Sequence, residues 1–241
     1  MDFHQALNVH FPQALSEAVF IQRSYDALLS HGFSEANAIA CVSVCRDEIT
    51  RSLVDSIQNL WGEAFNFSSL GGMLFLGKTG FSAAHRHAPV HEGRERYLYF
   101  VMAHTAIDRH GQVGVCNRAG RSEPSGACGA LIAFREELLQ RTLKVTLDMD
   151  DIEQSLLKQR LLRKIPYGEV PELAELTRTA YGVILEDVER LVDITVNPAV
   201  NEYAILSGIQ IHGPDKAQYI WPGEMYVVKN GERCLLGLSE I

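Results

Sequence analysis

Three side chains of metal-binding type stand far apart in the 241-residue chain: Cys45, His104 and Cys128. Two thiolates and an imidazole suit Zn2+, and three protein ligands leave a fourth tetrahedral position for water, as catalytic rather than structural sites do. Spacing alone does not assign them. The 58 and 23 intervening residues form no recognised zinc signature, and two core cysteines with a core histidine would read the same way. Their places on the expected elements argue for more. Residues 38–45 form a short apolar, partly β-branched run that ends on Cys45, and 96–104 form another that ends on His104. Cys128 opens a helical stretch, whose N-terminal dipole favours a thiolate. In an open α/β sheet these positions converge at the carboxyl edge of the strands, where sites are normally built.

Other patterns compete for attention. Residues 72–79, GMLFLGKT, formally match a P-loop, and Val145-Thr146-Leu147-Asp148 could pass for its acidic strand. The residues between the two glycines are bulky and apolar, as in a strand. A phosphate nest needs small ones, so that backbone N–H groups can converge. His85, His87 and His91 lie beside Pro89 and Gly93 and read as an exposed loop, with a lid or proton shuttle as the alternative. Cys41, Cys116 and Cys234 read as packing residues. Cys41 shares a strand face with Cys45 but lies about 13 Å along it, too far to share a metal. In the turn-rich 120–126 stretch, Arg121, Ser122 and Ser125 could contact substrate or simply form a surface turn.

The elements that must position these residues follow from periodicity. Residues 12–30 have helical spacing, with Pro12 in the first turn and Gly32 as the stop. A helix over 47–61, with Ile49, Leu53, Ile57 and Leu60 on its apolar face, follows the strand that ends at Cys45. Further strands are expected at 72–77 and 96–104, then a glycine-rich stretch at 111–126 and a helix from Cys128. Residues 148–193 read as mostly helical with a break at 166–171. The tail reads as β, with Asn230-Gly231 as a hairpin turn. The pattern predicts one α/β domain with a mostly parallel sheet flanked by helices. It would comprise a helical arm at 1–35, a metal-site core at 38–135 and a helix-plus-hairpin extension at 148–241.

Composition limits the function classes. Hydrophobic residues make up 46% of the chain, enough for a sizeable core. No run approaches 18 uninterrupted apolar residues, so no membrane insertion is expected. A net charge of −8 argues against nucleic acid, which needs a basic footprint. The one dense basic run, 158–164, reads as a solvated helix face, with an anionic partner as the alternative. Five cysteines without close framework spacing point to a reducing compartment, where they bind metal, catalyse or pack. The N-terminal residues lack the pattern of a secretory signal.

Cys45-Arg46-Asp47-Glu48, Ala103-His104-Thr105-Ala106-Ile107-Asp108 and Ser125-Gly126-Ala127-Cys128-Gly129-Ala130-Leu131 together resemble the limiting-CO2-inducible B protein family, of β-carbonic-anhydrase-like fold. The first segment also resembles the Cys-x-Asp-x-Arg stretch of β-carbonic anhydrases. The 23 residues between His104 and Cys128 depart from their His-x-x-Cys but suit the limiting-CO2 branch. Ile49 stands where their arginine would be, so Arg46, or else Arg51, is expected to orient Asp47.

The resemblance implies reversible CO2 hydration by zinc-bound hydroxide, with Cys45, His104 and Cys128 as ligands and Asp47 orienting the nucleophile. It further implies a homodimer, while the N-terminal residues, without signal or transit character, read as cytoplasmic or, with a leader removed, as of the plastid stroma. Asp47 could instead ligate zinc and close the site. An inactive zinc-holding relative, and hydrolysis of CS2 or COS, remain alternatives.

Overall fold

The structure, a computed structural model, describes residues 1–237. Helix α1 (Phe3–His10) opens the chain, with Asp2 and Gln5 in a reciprocal capping box. The helix expected from Pro12 starts later, because Pro12 falls in the turn after α1. Leu15–Ser16 form a short strand, β1, and Ser16 then caps α2 (Glu17–Ser30). Strand β2 (Ile39–Ser43) is buried at every position. A 3-10 turn (Glu48–Thr50) leads into α3 (Arg51–Trp61), which Gly62 ends, and β3 (Phe65–Asn66) returns parallel to β2.

The strand expected at 72–77 is absent. Leu70–Gly72 form a 3-10 turn with Gly71 and Gly72 at positive φ, and the chain then enters α4 (Gly77–His85). Met73 and Leu74 are buried from a loop, which leaves the same apolar run in the sequence as a strand would. The P-loop reading falls with it: a 3-10 turn and a loop, not a strand, lead into Lys78, and Val145–Asp148 form no strand.

Gly72 closes the turn against the backbone of its neighbours. A Cβ there would meet the Met102 carbonyl oxygen at 2.6 Å and the Cys45 nitrogen at 3.6 Å, at φ +76. Ser43 Oγ donates to the Gly72 carbonyl at 3.0 Å. Gly72→Ala is therefore expected to destabilise the fold by about 1–3 kcal/mol, read as a lower denaturation midpoint with an unchanged slope.

Strand β4 (Val90–His91) pairs with the start of β5 (Arg94–Ala106), the longest strand. Tyr97, Tyr99, Val101 and Ala103 enter one hydrophobic core, while Leu98, Phe100 and Met102 enter the other. A strand buried on both faces reads as a continuous apolar run, as this one does. Strands β6 (Val115–Cys116) and β7 (Ser125–Gly126) form a small ribbon, followed by α5 (Gly129–Gln140), α6 (Ile152–Leu161) and α7 (Leu173–Thr195). Strands β8 (Glu202–His212), β9 (Gln218–Lys229) and β10 (Glu232–Leu235) are the last elements among the described residues, with the hairpin turn at Asn230-Gly231.

The main sheet runs β1-β9-β8-β5-β2-β3. Strands β3, β2, β5 and β8 are parallel, and β9 runs antiparallel beside β8. Residues from α2 and α3 fill one core; residues from α1, α4, α5, α6 and α7 fill the other. The segment read as a β extension is thus partly central, since β8 pairs with β5 along its whole length.

Candidate metal centre

The parallel strands bring Cys45, His104 and Cys128 to one end of the sheet. Cys45 lies two residues beyond β2, held by a bridge to Ser69. His104 lies near the end of β5, and Cys128 is the N-cap residue of α5. All three are buried, and their ligand atoms lie within 4.8 Å of one another. The Cys45 and Cys128 sulfurs are 3.7 Å apart. Tetrahedral zinc, with Zn–S of about 2.3 Å, sets two sulfurs about 3.8 Å apart. The His104 Nε2 atom is buried without a hydrogen-bond partner. That orphaned nitrogen and the sulfur separation both fit a tetrahedral ion.

The two thiols are joined by one hydrogen bond. Its hydrogen bond to Cys128 pushes the Cys45 thiol down to about 4 against the effect of burial, with help from His104. The same hydrogen bond, and then burial, push Cys128 up. A divalent cation bound by both sulfurs would displace the protons that they carry.

Outside this trio lies a histidine that the sequence reading did not single out. His104 Nδ1 is 3.1 Å from His212 Nε2, and His212 Nδ1 is 2.7 Å from Gln218 Oε1. An amide oxygen only accepts, so His212 carries its proton on Nδ1 and accepts at Nε2. His104 must then carry its own proton on Nδ1, which leaves the Nε2 lone pair for a metal. Burial, the largest influence on it, pushes His212 down to about 3, so the ring stays neutral. His212→Phe is expected to lower zinc affinity about 10–100-fold, measured by competition with a chromogenic chelator.

Asp47 caps the 3-10 turn, accepting from the Ile49 nitrogen. Its partner is Arg118, whose Nη1 and Nη2 donate to Asp47 Oδ1 and Oδ2, both at 2.8 Å. Arg118 also donates to Ser125 Oγ at 2.7 Å and to the Gly126 carbonyl at 3.1 Å, and contacts Glu48. Burial works to raise the Asp47 pKa, but the hydrogen bonds and charge of Arg118, with the Ile49 nitrogen, outweigh it and bring the carboxyl down to about 2.

Neither arginine expected at Asp47 reaches it. Arg46 turns outward to Glu153 of α6, at 2.7 and 3.1 Å, and Glu153 also accepts from the Leu70 nitrogen. Arg51 pairs with Asp55 one helical turn along. The arginine comes instead from the glycine-rich stretch between His104 and Cys128. Of the three residues singled out there, Ser125 belongs to the arrangement and Arg121 and Ser122 are exposed.

The histidine group is scattered rather than a loop over the site. His85 is buried at the end of α4 against Tyr99 OH at 2.6 Å. His87 and His91 are exposed. Tyr99 precedes His104 on β5 by five residues, some 16 Å along a strand, so His85 neither covers the centre nor shuttles its protons. Cys41 and Cys116 are buried, as expected, but Cys234 is exposed.

A cavity of about 650 Å3 opens on one flank of the centre, lined by Cys45, Asp47, Thr50, Val54, Asn66 and Ser68 among others. Near the Asp47–Arg118 pair, Ala106, Cys116 and Ala127 form a small apolar cluster with Ile49 packed against it.

Comparisons with known proteins converge on one family. The description "limiting CO2-inducible proteins B/C beta carbonic anhydrases" matches residues 14–229. A crystal structure of limiting CO2-inducible protein LCIB is 34% identical, covering 98% of this chain and 99% of the other, with a TM-score of 0.81. A crystal structure of PtLCIB4, a homologue of LCIB, is 25% identical over 96% of this chain and 98% of the other, with a TM-score of 0.83. No curated protein matches.

Proposed function

The chain belongs to the limiting CO2-inducible B/C family of β-carbonic anhydrases, and from that premise we propose that it hydrates CO2 reversibly to bicarbonate at a zinc ion held by Cys45, His104 and Cys128. The observation that carries the proposal is the donor set itself, two sulfurs 3.7 Å apart facing an unpartnered imidazole nitrogen. Zinc in such a set supplies Lewis acidity that lowers the pKa of a coordinated water from 15.7 to about 7.

The remaining work falls to side chains. The proposed role of Asp47 is to accept a hydrogen bond from the reacting water, so that a lone pair faces the CO2 carbon. Arg118 holds that carboxylate ionised and in one orientation. Its bidentate grip on both oxygens supports an open site over one closed by Asp47 as a ligand. Cys45 and Cys128 bring two negative charges to the ion, which weakens its Lewis acidity relative to a three-histidine set.

A homodimer is part of the proposal on the family ground. Val145, Leu147 and Met149, exposed at alternate positions, offer apolar surface that a second copy would cover. Among the described residues no helix is long and apolar enough to cross a membrane, in keeping with the proposed site of action in the cytoplasm or plastid stroma.

Elemental analysis of the purified chain together with stopped-flow CO2 hydration tests the proposal. It expects about one zinc per chain and hydration that is lost on chelation and regained with zinc. Zinc without turnover would refute catalysis and leave a metal-holding binding protein.

A further inference from the structure

The basic run at 158–164 is solvated only in part: Arg163 and Lys164 are exposed, while Lys158 and Arg160 turn toward neighbouring helices. Lys158 pairs with Glu137 and Lys164 with Glu186, both at 2.5 Å, and Arg160 contacts Asp187 of α7. Arg190, one turn further along α7, reaches the same Asp187 at 2.9 Å. Arg163 has no carboxylate partner among the described residues. Arg160, Arg163, Arg190 and Asp187 line a cavity of about 220 Å3 between α6 and α7, with Leu156 and Gln159 completing the wall.

Charge in this cavity is out of balance. Three guanidinium groups surround one carboxylate in a chain whose net charge is −8. Asp187 is buried and already divided between Arg160 and Arg190. Arg160 is half-buried, with its guanidinium 5.5 Å from the centre of the Phe75 ring, an arrangement that fixes its direction. Burial, and then repulsion from Arg190 and Arg163, push its pKa down. Cations crowded in this way gain from an added oxyanion, and guanidinium forks match phosphate oxygens bidentately.

We propose that this cavity binds a phosphate group, free or as a small monoester, between Arg160, Arg163 and Arg190. Its volume lies below that of ordinary small-molecule sites, which suits one phosphate with a short substituent rather than a nucleotide. The site is separate from the metal centre, which α6 touches through its first turn, where Glu153 meets Arg46 and Gln154 donates to the Ala130 carbonyl. The inference therefore stands or falls independently of zinc.

The test is titration of the zinc-loaded full chain with inorganic phosphate and, separately, with glycerol 3-phosphate. Calorimetry and melting curves are read at ionic strength held constant with chloride. One saturable site per chain and a rise in Tm with either ligand are expected. Arg163→Ala and Arg190→Ala should each weaken binding about tenfold, and Arg163→Glu should abolish it, with zinc content unchanged in all three. Arg51→Ala, which removes an exposed arginine elsewhere, should bind as the parent does. Tighter binding of the monoester would assign the site to a phosphorylated metabolite, and tighter binding of phosphate to the free ion; both support the inference. Absence of a saturable site, or affinity unchanged in Arg163→Ala and Arg190→Ala, would overturn it. Arg163 is exposed and has no carboxylate partner among the described residues, so its variants should melt like the parent in chloride alone.

Discussion

Arg118→Ala is expected to lower kcat/KM for CO2 hydration about 10²–10³-fold while the chain keeps its zinc. The guanidinium engages both oxygens of Asp47 and is itself fixed by Ser125 and Gly126. Removing it leaves a carboxylate whose side chain is only 10% exposed without its counter-charge and free to turn, even toward the metal. Arg118→Lys should recover little, because an ammonium cannot hold two carboxylate oxygens in a plane. Arg46→Ala is the informative contrast. Its side chain is 61% exposed and bonded to Glu153, so the loss should stay within about threefold, of the size expected for a surface ion pair. Steady-state hydration rates of the three variants, read beside zinc content, check this. Equal losses in Arg46→Ala and Arg118→Ala would reject the assignment of Arg118.

Cys128→Ala should have the larger effect, on metal rather than on rate alone. With one sulfur gone, His104 and Cys45 are left as a two-ligand site, and zinc affinity should fall by more than about 10³-fold, beyond the loss typical of an outer-shell partner. Hydration should fall with it to the level of the chelated parent. Zinc binding to the variant should still release a proton, because Cys45 without the Cys128 hydrogen bond that lowers its pKa starts as a thiol. Chelator competition and a pH-indicator titration at fixed zinc measure the two effects. The metal-free parent serves as the stability control, so that a cavity at this buried position is not mistaken for loss of the metal.

The trio itself was legible in the sequence. A cysteine or histidine at the end of an apolar run, and a cysteine at the start of a helical one, mark positions that a parallel sheet gathers at one edge. Arg118 was not legible, because the pairing joins residues 71 positions apart through an irregular loop with no periodicity to read. The only local signal was an arginine inside the glycine-rich stretch that separates two ligands. His212 was hidden differently. The strand carrying it was expected, but its register against β5, which sets His212 beside Ala106 and Gln210 beside His104, depends on pairing over about a hundred residues. The false strand at 72–77 shows the converse, since burial of Met73 and Leu74 from a loop and burial in a strand leave the same apolar run. His85 likewise looked exposed from Pro89 and Gly93 nearby, yet the helix ending on it packs it against Tyr99.

Zinc-edge X-ray absorption of the purified protein tests the central claim most directly. The account predicts a four-coordinate ion with two sulfurs at about 2.3 Å, one imidazole nitrogen at about 2.0–2.1 Å and one light oxygen that added azide or bicarbonate replaces. A spectrum with fewer than two sulfurs, or with a fourth ligand that no added anion displaces, would contradict it.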